Sequence, residues 1–258
     1  MISYQNFKGF DFHCHVDLYP SPERIIKECS TNGIFTLAVT TTPKAWKQNQ
    51  AWTQKSDTVF AAPGLHPELI ADRFKEIVLL EDLIKKNQLI GEIGLDGSPE
   101  YRKTYSLQKE IFARALIACQ RKGQRLISVH SRRASSDVLD HLAEHVTSDR
   151  VLPILHWFSG TNSEASRATE LGCYFSINAE TMKHQRGISL IQKIPLNRLL
   201  TETDGPFTSV MNERSKPINV ISAVATLSEI RGLPLVEMQE VLSENSIQVL
   251  KFAGFNNL

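Results

Sequence analysis

Short apolar runs alternate with helix-patterned segments along most of this 258-residue chain. Strand-like runs fall at 9–15, 34–40, 58–65, 89–94, 125–130, 151–156, 173–178 and 198–204. Their starts lie about two to three dozen residues apart, the spacing of successive β/α units rather than of hairpins. Ile34-Phe35-Thr36-Leu37-Ala38-Val39 and Val151-Leu152-Pro153-Ile154-Leu155 are apolar at nearly every position, which fits parallel strands covered on both faces. Between the strands, Ser21-Pro22-Glu23 supplies an N-cap, a proline at the first helical position and an early carboxylate, and Gly33 ends that helix. Leu107, Ile111, Ala115 and Cys119 recur four apart through 104–122 and stop at Gly123, while Val138, Leu142 and Val146 stripe 134–147. The segment 216–252 predicts more than one helix, broken near Gly232-Leu233-Pro234. The alternation predicts an α/β chain folded as one (β/α)8 TIM-type barrel over 1–258, with an open doubly wound sheet as the structural alternative.

Composition narrows the function more than the fold. A net charge of +1 excludes a strongly basic nucleic-acid-binding domain but leaves room for a locally basic rim. The four cysteines are widely spaced without a Cys-x-x-Cys, so neither a disulfide framework nor a cysteine zinc site is indicated. Nowhere do 18 consecutive apolar residues occur, and residues 1–8 contain no apolar signal core. The expectation is a cytoplasmic protein without a membrane partner.

Six metal-ligand-type side chains recur at or near the C-terminal ends of the predicted strands. They are His13 and His15 in Phe12-His13-Cys14-His15, Glu92 in Gly91-Glu92-Ile93-Gly94, His130, His156 and Asp204. Four imidazoles and two carboxylates are the inventory of a hydrolytic site holding two divalent cations, with zinc, manganese or iron suited to the nitrogen ligands. Period-two alternation places His13 and His15 on one side of a strand and Cys14 on the other. A carboxylate inside an apolar strand, as at Glu92, is expensive to bury without a cation. A closed parallel barrel would gather all six at one mouth.

Other residues compete for roles. His141-Leu142-Ala143-Glu144-His145 matches an H-x-x-E-H protease pattern, but its helix belongs to the outer ring. His66, in Gly64-Leu65-His66-Pro67, ends the third strand as either a substrate contact or a satisfied core histidine. His184 reads as a solvated residue of a polar helix. Lys44, Arg102, Lys103, Arg132, Arg133, Lys183 and Arg186 follow predicted strand ends and would form a basic rim, each being an ordinary surface charge in the bland reading. Arg132, two residues past His130, is the best candidate for a bidentate phosphate contact, with Lys183 second.

At these residues the chain resembles the TatD-type metal-dependent deoxyribonucleases, within the wider amidohydrolase-like barrels. The resemblance rests on Asp11-Phe12-His13-Cys14-His15, Gly64-Leu65-His66-Pro67, Gly91-Glu92-Ile93-Gly94-Leu95-Asp96, Val129-His130-Ser131-Arg132, His156-Trp157-Phe158-Ser159-Gly160 and Glu202-Thr203-Asp204-Gly205-Pro206. Glu244-Asn245 resembles the family's last helix. The resemblance implies that His13, His15 and Asp204 hold one cation, that His130 and His156 hold the other, and that Glu92 bridges them. It implies two divalent ions (Mg, Mn or Zn) and a DNase, an exonuclease on single-stranded or frayed DNA ends, with Glu92 and Asp204 catalytic; by their positions, His66, Arg132 and Lys183 are the expected substrate contacts. Glu68 stands where the family has a further histidine, and Gly97-Ser98-Pro99 intervenes after Gly94-Leu95-Asp96, where the family commonly continues with an aromatic or polar residue and a basic stretch, departures that touch substrate loops. Asp17-Leu18-Tyr19-Pro20 and Thr40-Thr41-Thr42-Pro43 are similar to the TatD-like members of Qat-type anti-phage operons, which implies defence-operon protein partners. Two alternatives use the same ligand set: an amide or ester hydrolase such as a D-aminoacyl-tRNA deacylase, and a weakly catalytic docking subunit of a defence complex. The absence of a lysine inside the fourth and fifth strands disfavours a carbamylated-lysine amidohydrolase.

Overall fold

The structure, a computed structural model, describes residues 7–256, so residues 1–6 of the segment without a signal core lie outside it. The strands are β1 (Gly9–Cys14), β2 (Ile34–Val39), β3 (Val59–Ala62), β4 (Leu89–Gly94), β5 (Arg125–His130), β6 (Val151–His156), β7 (Tyr174–Ile177) and β8 (Leu199–Thr201). The helices are α1 (Pro22–Asn32), α2 (Trp46–Thr53), α3 (Ile70–Arg73), α4 (Ile77–Ile84), α5 (Tyr105–Lys122), α6 (Ser135–His145), α7 (Asn162–Glu170), α8 (Ala179–Met182), α9 (Gln185–Lys193), α10 (Val220–Arg231) and α11 (Leu235–Phe252). A short hairpin, β9 (Ser209–Val210) with β10 (Glu213–Arg214), follows β8.

β1–β2–β3 and β4 through β8 pair in parallel in chain order. Two backbone seams join these sheets into the (β/α)8 TIM-type barrel. At one seam Gly91 N donates to Pro63 O at 3.0 Å and Leu65 N to Glu92 O at 2.9 Å. At the other, Asp204 N donates to His13 O and His15 N to Gly205 O, both at 2.8 Å. Gly64 is required at the first seam, since a Cβ there would sit 2.1 Å from Glu92 N.

Two strands slip by one residue. β1 pairs Asp11 with Thr36 but Cys14 with Ala38, and β4 pairs Ile90 with Ile127 but Ile93 with Val129. Each bulge re-aims a side chain, and the displaced residues include His13 and Glu92. Phe10, Phe12, Phe35, Leu37, Leu126, Leu152, Ile154, Tyr174 and Leu200 pack with Val249 and Leu250 of α11 in one buried cluster. Leu126 and His130, like Ile154 and His156, share a face by period two. That cluster is therefore the apolar floor under the histidines. A larger cluster between strands and helices contains Ile93, Ile127, Phe112 and Leu142. Asn245 fastens α11 to the barrel, its Nδ2 donating to Leu196 O and Leu199 O at 2.8 Å.

Several local expectations need correction. His15 lies one residue beyond β1, and Asp204 lies three beyond β8, which stops at Thr201. Ser21 makes no side-chain cap bond, although Pro22 does open α1 and Gly33 closes it in the left-handed region. His184 precedes α9 as its N-cap residue and is exposed, as solvation requires. The break at Gly232-Leu233-Pro234 separates α10 from α11. Among the described residues, no helix is long and apolar enough to cross a membrane.

Candidate metal centre

All six predicted ligands converge at the mouth formed by the strand C-termini. Glu92 is the pivot, buried and with its two oxygens turned to different imidazoles. Its Oε2 lies 3.4 Å from His13 Nε2 and 3.3 Å from His15 Nε2. Its Oε1 lies 2.7 Å from His130 Nδ1, 2.9 Å from His156 Nε2 and 3.2 Å from His66 Nε2. Asp204 Oδ1 is 3.7 Å from both His13 Nε2 and His15 Nε2. Donors of His13, His15 and Glu92, of His66, Glu92 and His130, and of His13, His156 and Asp204 each lie within 4.8 Å of one another. The third grouping couples His156 to the His13 side, where the rings stack 3.8 Å apart. His156 Nε2 thus lies between the two groups, 2.9 Å from the Glu92 Oε1 that also faces His130. Nitrogen and carboxylate donors converging at these separations fit divalent cations.

His66 has a different part. Its Nδ1 accepts the Glu68 N–H at 3.2 Å, which turns Nε2 toward Glu92 Oε1, 3.2 Å away.

Outer groups orient the ligands. Asp96 Oδ2 lies 2.9 Å from His130 Nε2, leaving Nδ1 toward Glu92. Burial opposes the charge on Asp96, but hydrogen bonds from His130 and Ser98 overcome it and hold the carboxyl at about 2. Glu202 Oε1 lies 3.7 Å from His156 Nδ1 and is itself held by Asn178 Nδ2 and Trp157 N. Ser128 Oγ is 2.7 Å from His13 Nδ1. At hydrogen-bond distance, Asp96 and Ser128 fix ring tautomer and direction, while Glu202 sets a buried negative charge beside His156. Asp96→Asn should therefore lower metal affinity about 10- to 100-fold while the protein stays folded; isothermal titration with Mn²⁺ checks this, and wild-type affinity would dismiss the orienting role.

Electrostatics without cations are consistent with a site built for positive charge. Burial and the neighbouring His156 push His13 well below the usual histidine range. Burial disfavours charge on His156 too, but Glu92 and Glu202 raise it well above that range. Burial likewise opposes Glu92, yet His66, His156 and His13 hold it well below the ordinary carboxylate range. Burial lifts Asp204 to about 7, with His156 and His15 pulling the other way.

The ligands open into a cavity of about 640 Å³ whose wall includes His66, Glu68, Arg132, Trp157 and Phe207. Lys183 does not join it. Its ammonium is paired with Glu180 at 2.6 Å and reaches Ser209 O, beside a different cavity, so the structure does not bring it to the cavity of the candidate ligands. Lys44 is likewise engaged, with Glu76. His141 and His145 lie on α6, with His141 against Phe112 in the outer layer, as expected for a decoy. Sequence reasoning missed Asp96 and Ser128 as hydrogen-bond partners of His130 and His13, and Glu202 as a buried charge beside His156. Asp96 and Glu202 lay inside quoted motifs, but nothing in their spacing distinguishes an orienting carboxylate from a ligand.

A TIM-type barrel with this buried donor set at its C-terminal mouth is a metal-dependent hydrolase. The profile of the TatD related DNase family matches residues 10–251, and the chain belongs to that family. It is 31% identical over 228 residues to an uncharacterised metal-dependent hydrolase of Buchnera aphidicola, covering 80% of this chain and 84% of that one. It is 28% identical over 200 residues to the deoxyribonuclease TATDN3 of Homo sapiens, covering 74% and 72%. In fold it matches the crystal structure of a TatD homologue from Escherichia coli K12 with a TM-score of 0.84, 24% identity and coverage of 96% and 98%.

Proposed function

We propose that the protein is a phosphodiesterase using two divalent cations, an exonuclease on single-stranded or frayed DNA ends in the cytoplasm, with anti-phage defence and its operon proteins as the setting. One observation carries the reading: the buried Glu92 presents one oxygen to His13 and His15 and the other to His130 and His156. A single carboxylate thus faces two separate imidazole sets, as a bridging ligand must. When bound, two cations supply Lewis acidity, a water of lowered pKa and compensation for charge developing on the phosphate.

The chain's own groups do the rest. Asp204, at the edge of the first set, accepts the proton given up by the attacking water. His66, on the cavity wall, contacts the substrate. Arg132, exposed on the cavity wall, offers a bidentate fork to a non-bridging phosphate oxygen pair. Four free buried cysteines support a reducing compartment.

Labelled single-stranded DNA, duplex DNA and D-aminoacyl-tRNA with added Mn²⁺, Mg²⁺ or Zn²⁺ test the reading. Cleavage of the single strand, lost on stringent chelation, is expected. Deacylation of the tRNA without DNA cleavage would replace the phosphodiesterase by the deacylase, and metal binding without hydrolysis would favour a docking role. Arg132→Glu should raise the Michaelis constant for the strand about tenfold or more. Arg24→Glu, exposed on α1, should leave it unchanged. Equal losses in both variants would place the strand elsewhere.

A further inference from the structure

A second cavity, of about 690 Å³, adjoins the metal-side cavity and shares Arg132, Trp157 and Ser159 with it. Such a volume suits a nucleotide-sized ligand. Its walls hold three arginines, Arg132, Arg133 and Arg186, against three carboxylates, Asp137, Glu164 and Glu180. The carboxylates are already engaged. Asp137 pairs with Lys109 at 2.9 Å and accepts from Tyr105 Oη at 2.6 Å. Glu164 closes the Thr161 capping box, and Glu180 pairs with Lys183. Among the described residues, by contrast, the guanidinium groups of Arg132 and Arg133 meet no hydrogen-bonding or ionic partner. Arg186 is braced by donating to Ser159 O at 3.0 Å, which fixes its guanidinium on the cavity wall. The surplus is cationic, and it abuts the metal-side cavity.

Trp157 stands on the shared wall, 37% exposed although it follows the buried His156 directly. Its backbone has a φ of +40° and is held by donation of its N–H to Glu202 Oε1 at 3.0 Å. A large aromatic kept in an unusual backbone conformation at the junction of two cavities is placed for contact rather than for packing. Every base offers a π-face to such a ring, and guanidinium groups beside it suit the backbone.

We infer that the second cavity is a subsite for the nucleotide next to the scissile phosphate: Arg133 and Arg186, with the shared Arg132, hold its phosphodiester, and its base stacks on Trp157. This rests on the phosphodiesterase reading and deepens it. A base that enters this cavity to lie on Trp157 leaves the stack of its own strand, so the subsite favours a substrate whose nucleotide beyond the cut is unpaired.

The test compares Arg133→Glu, Trp157→Ala and the control Arg24→Glu. Binding of fluorescein-labelled hexathymidylate to chelator-treated protein is followed by anisotropy at several salt concentrations. Arg133→Glu should weaken binding about tenfold and reduce the logarithmic salt slope by about 0.7, the single-strand value for one phosphate. Trp157→Ala should weaken it about tenfold, with Trp157→Phe restoring most of the loss. With Mn²⁺, Arg133→Glu should raise KM for hexathymidylate but leave hydrolysis of thymidine 5′-(4-nitrophenyl phosphate) unchanged, since that diester has no neighbouring nucleotide. Binding by Arg133→Glu equal to that by Arg24→Glu, or equal losses on both substrates, would overturn the subsite. Failure of wild-type protein to cleave either substrate with any cation would instead overturn the phosphodiesterase reading, and the binding comparison would still decide the subsite.

Discussion

Replacing Glu92 by glutamine should lower hydrolysis on the order of 10³-fold, corresponding to roughly 4 kcal/mol of transition-state stabilisation. The change keeps size and removes the charge whose two oxygens lie 2.7 to 3.4 Å from the nitrogens of His13, His15, His130 and His156. Both cations should be lost together, because one carboxylate serves both sets. His156→Ala should mainly empty the His130 side. Metal content of purified variants by elemental analysis separates these patterns. Full occupancy of both sites in Glu92→Gln protein would show that the carboxylate is structural. The same variant removes the carboxylate that His130 and His156 share, leaving only Asp96 beside the first and Glu202 beside the second, so the metal-free fold should also lose about 3–5 kcal/mol, measurable by urea unfolding.

Cation binding should stabilise the protein more at pH 8 than at pH 6. In the metal-free site Glu92 and Glu202 overcome burial to raise His156 above its ordinary value, and Asp96 and Glu92 do so for His130. A raised histidine contributes stability that is full below its unfolded value of about 6.5 and is lost as pH rises through the folded value. Glu92 is depressed, so its contribution is present above the unfolded carboxylate value and is lost as pH falls through its folded one. The metal-free network is therefore strongest in mildly acidic solution, where protons occupy nitrogens that a cation needs. Binding must expel them, and affinity rises as pH rises. At a cation concentration about 100 times Kd the gain is about 2.7 kcal/mol, or roughly 5–10 °C in Tm for a chain of this size. Differential scanning fluorimetry with Mn²⁺ at the two pH values checks it. An equal shift at both would mean that the imidazoles are not displaced from protons by the cation.

The degree to which this site is legible in sequence differs residue by residue. His130 and His156 close β5 and β6 as the ends of apolar runs, and a side-chain period of two carries them from the leucines and isoleucines of the floor to the mouth. Asp204 was legible as a residue before a sharp stop, but not as one lying beyond the strand at a φ of +51°. Its position comes from the seam with β1, where its N–H donates to His13 O. Lys183 shows the opposite failure. Its place after β7 looked right for the rim, but the local Glu180 captured its ammonium, an i,i+3 contact on which strand order has no bearing.

The chain's own pattern of apolar and polar positions determined the β/α alternation and singled out six candidate donors, because these follow from short-range periodicity and from the cost of burying unpaired imidazoles and carboxylates; closure into a barrel rather than an open sheet came from the two seams. Tertiary structure alone decided how those donors are shared. The bulges that displace His13 and Glu92 arise from pairing with β2 and β5, and a one-residue slip reverses the face on which a side chain lands. Only then does Glu92 turn one oxygen to each imidazole set, while Asp96 and Glu202, carboxylates of the same chemistry, remain behind the histidines as their supports.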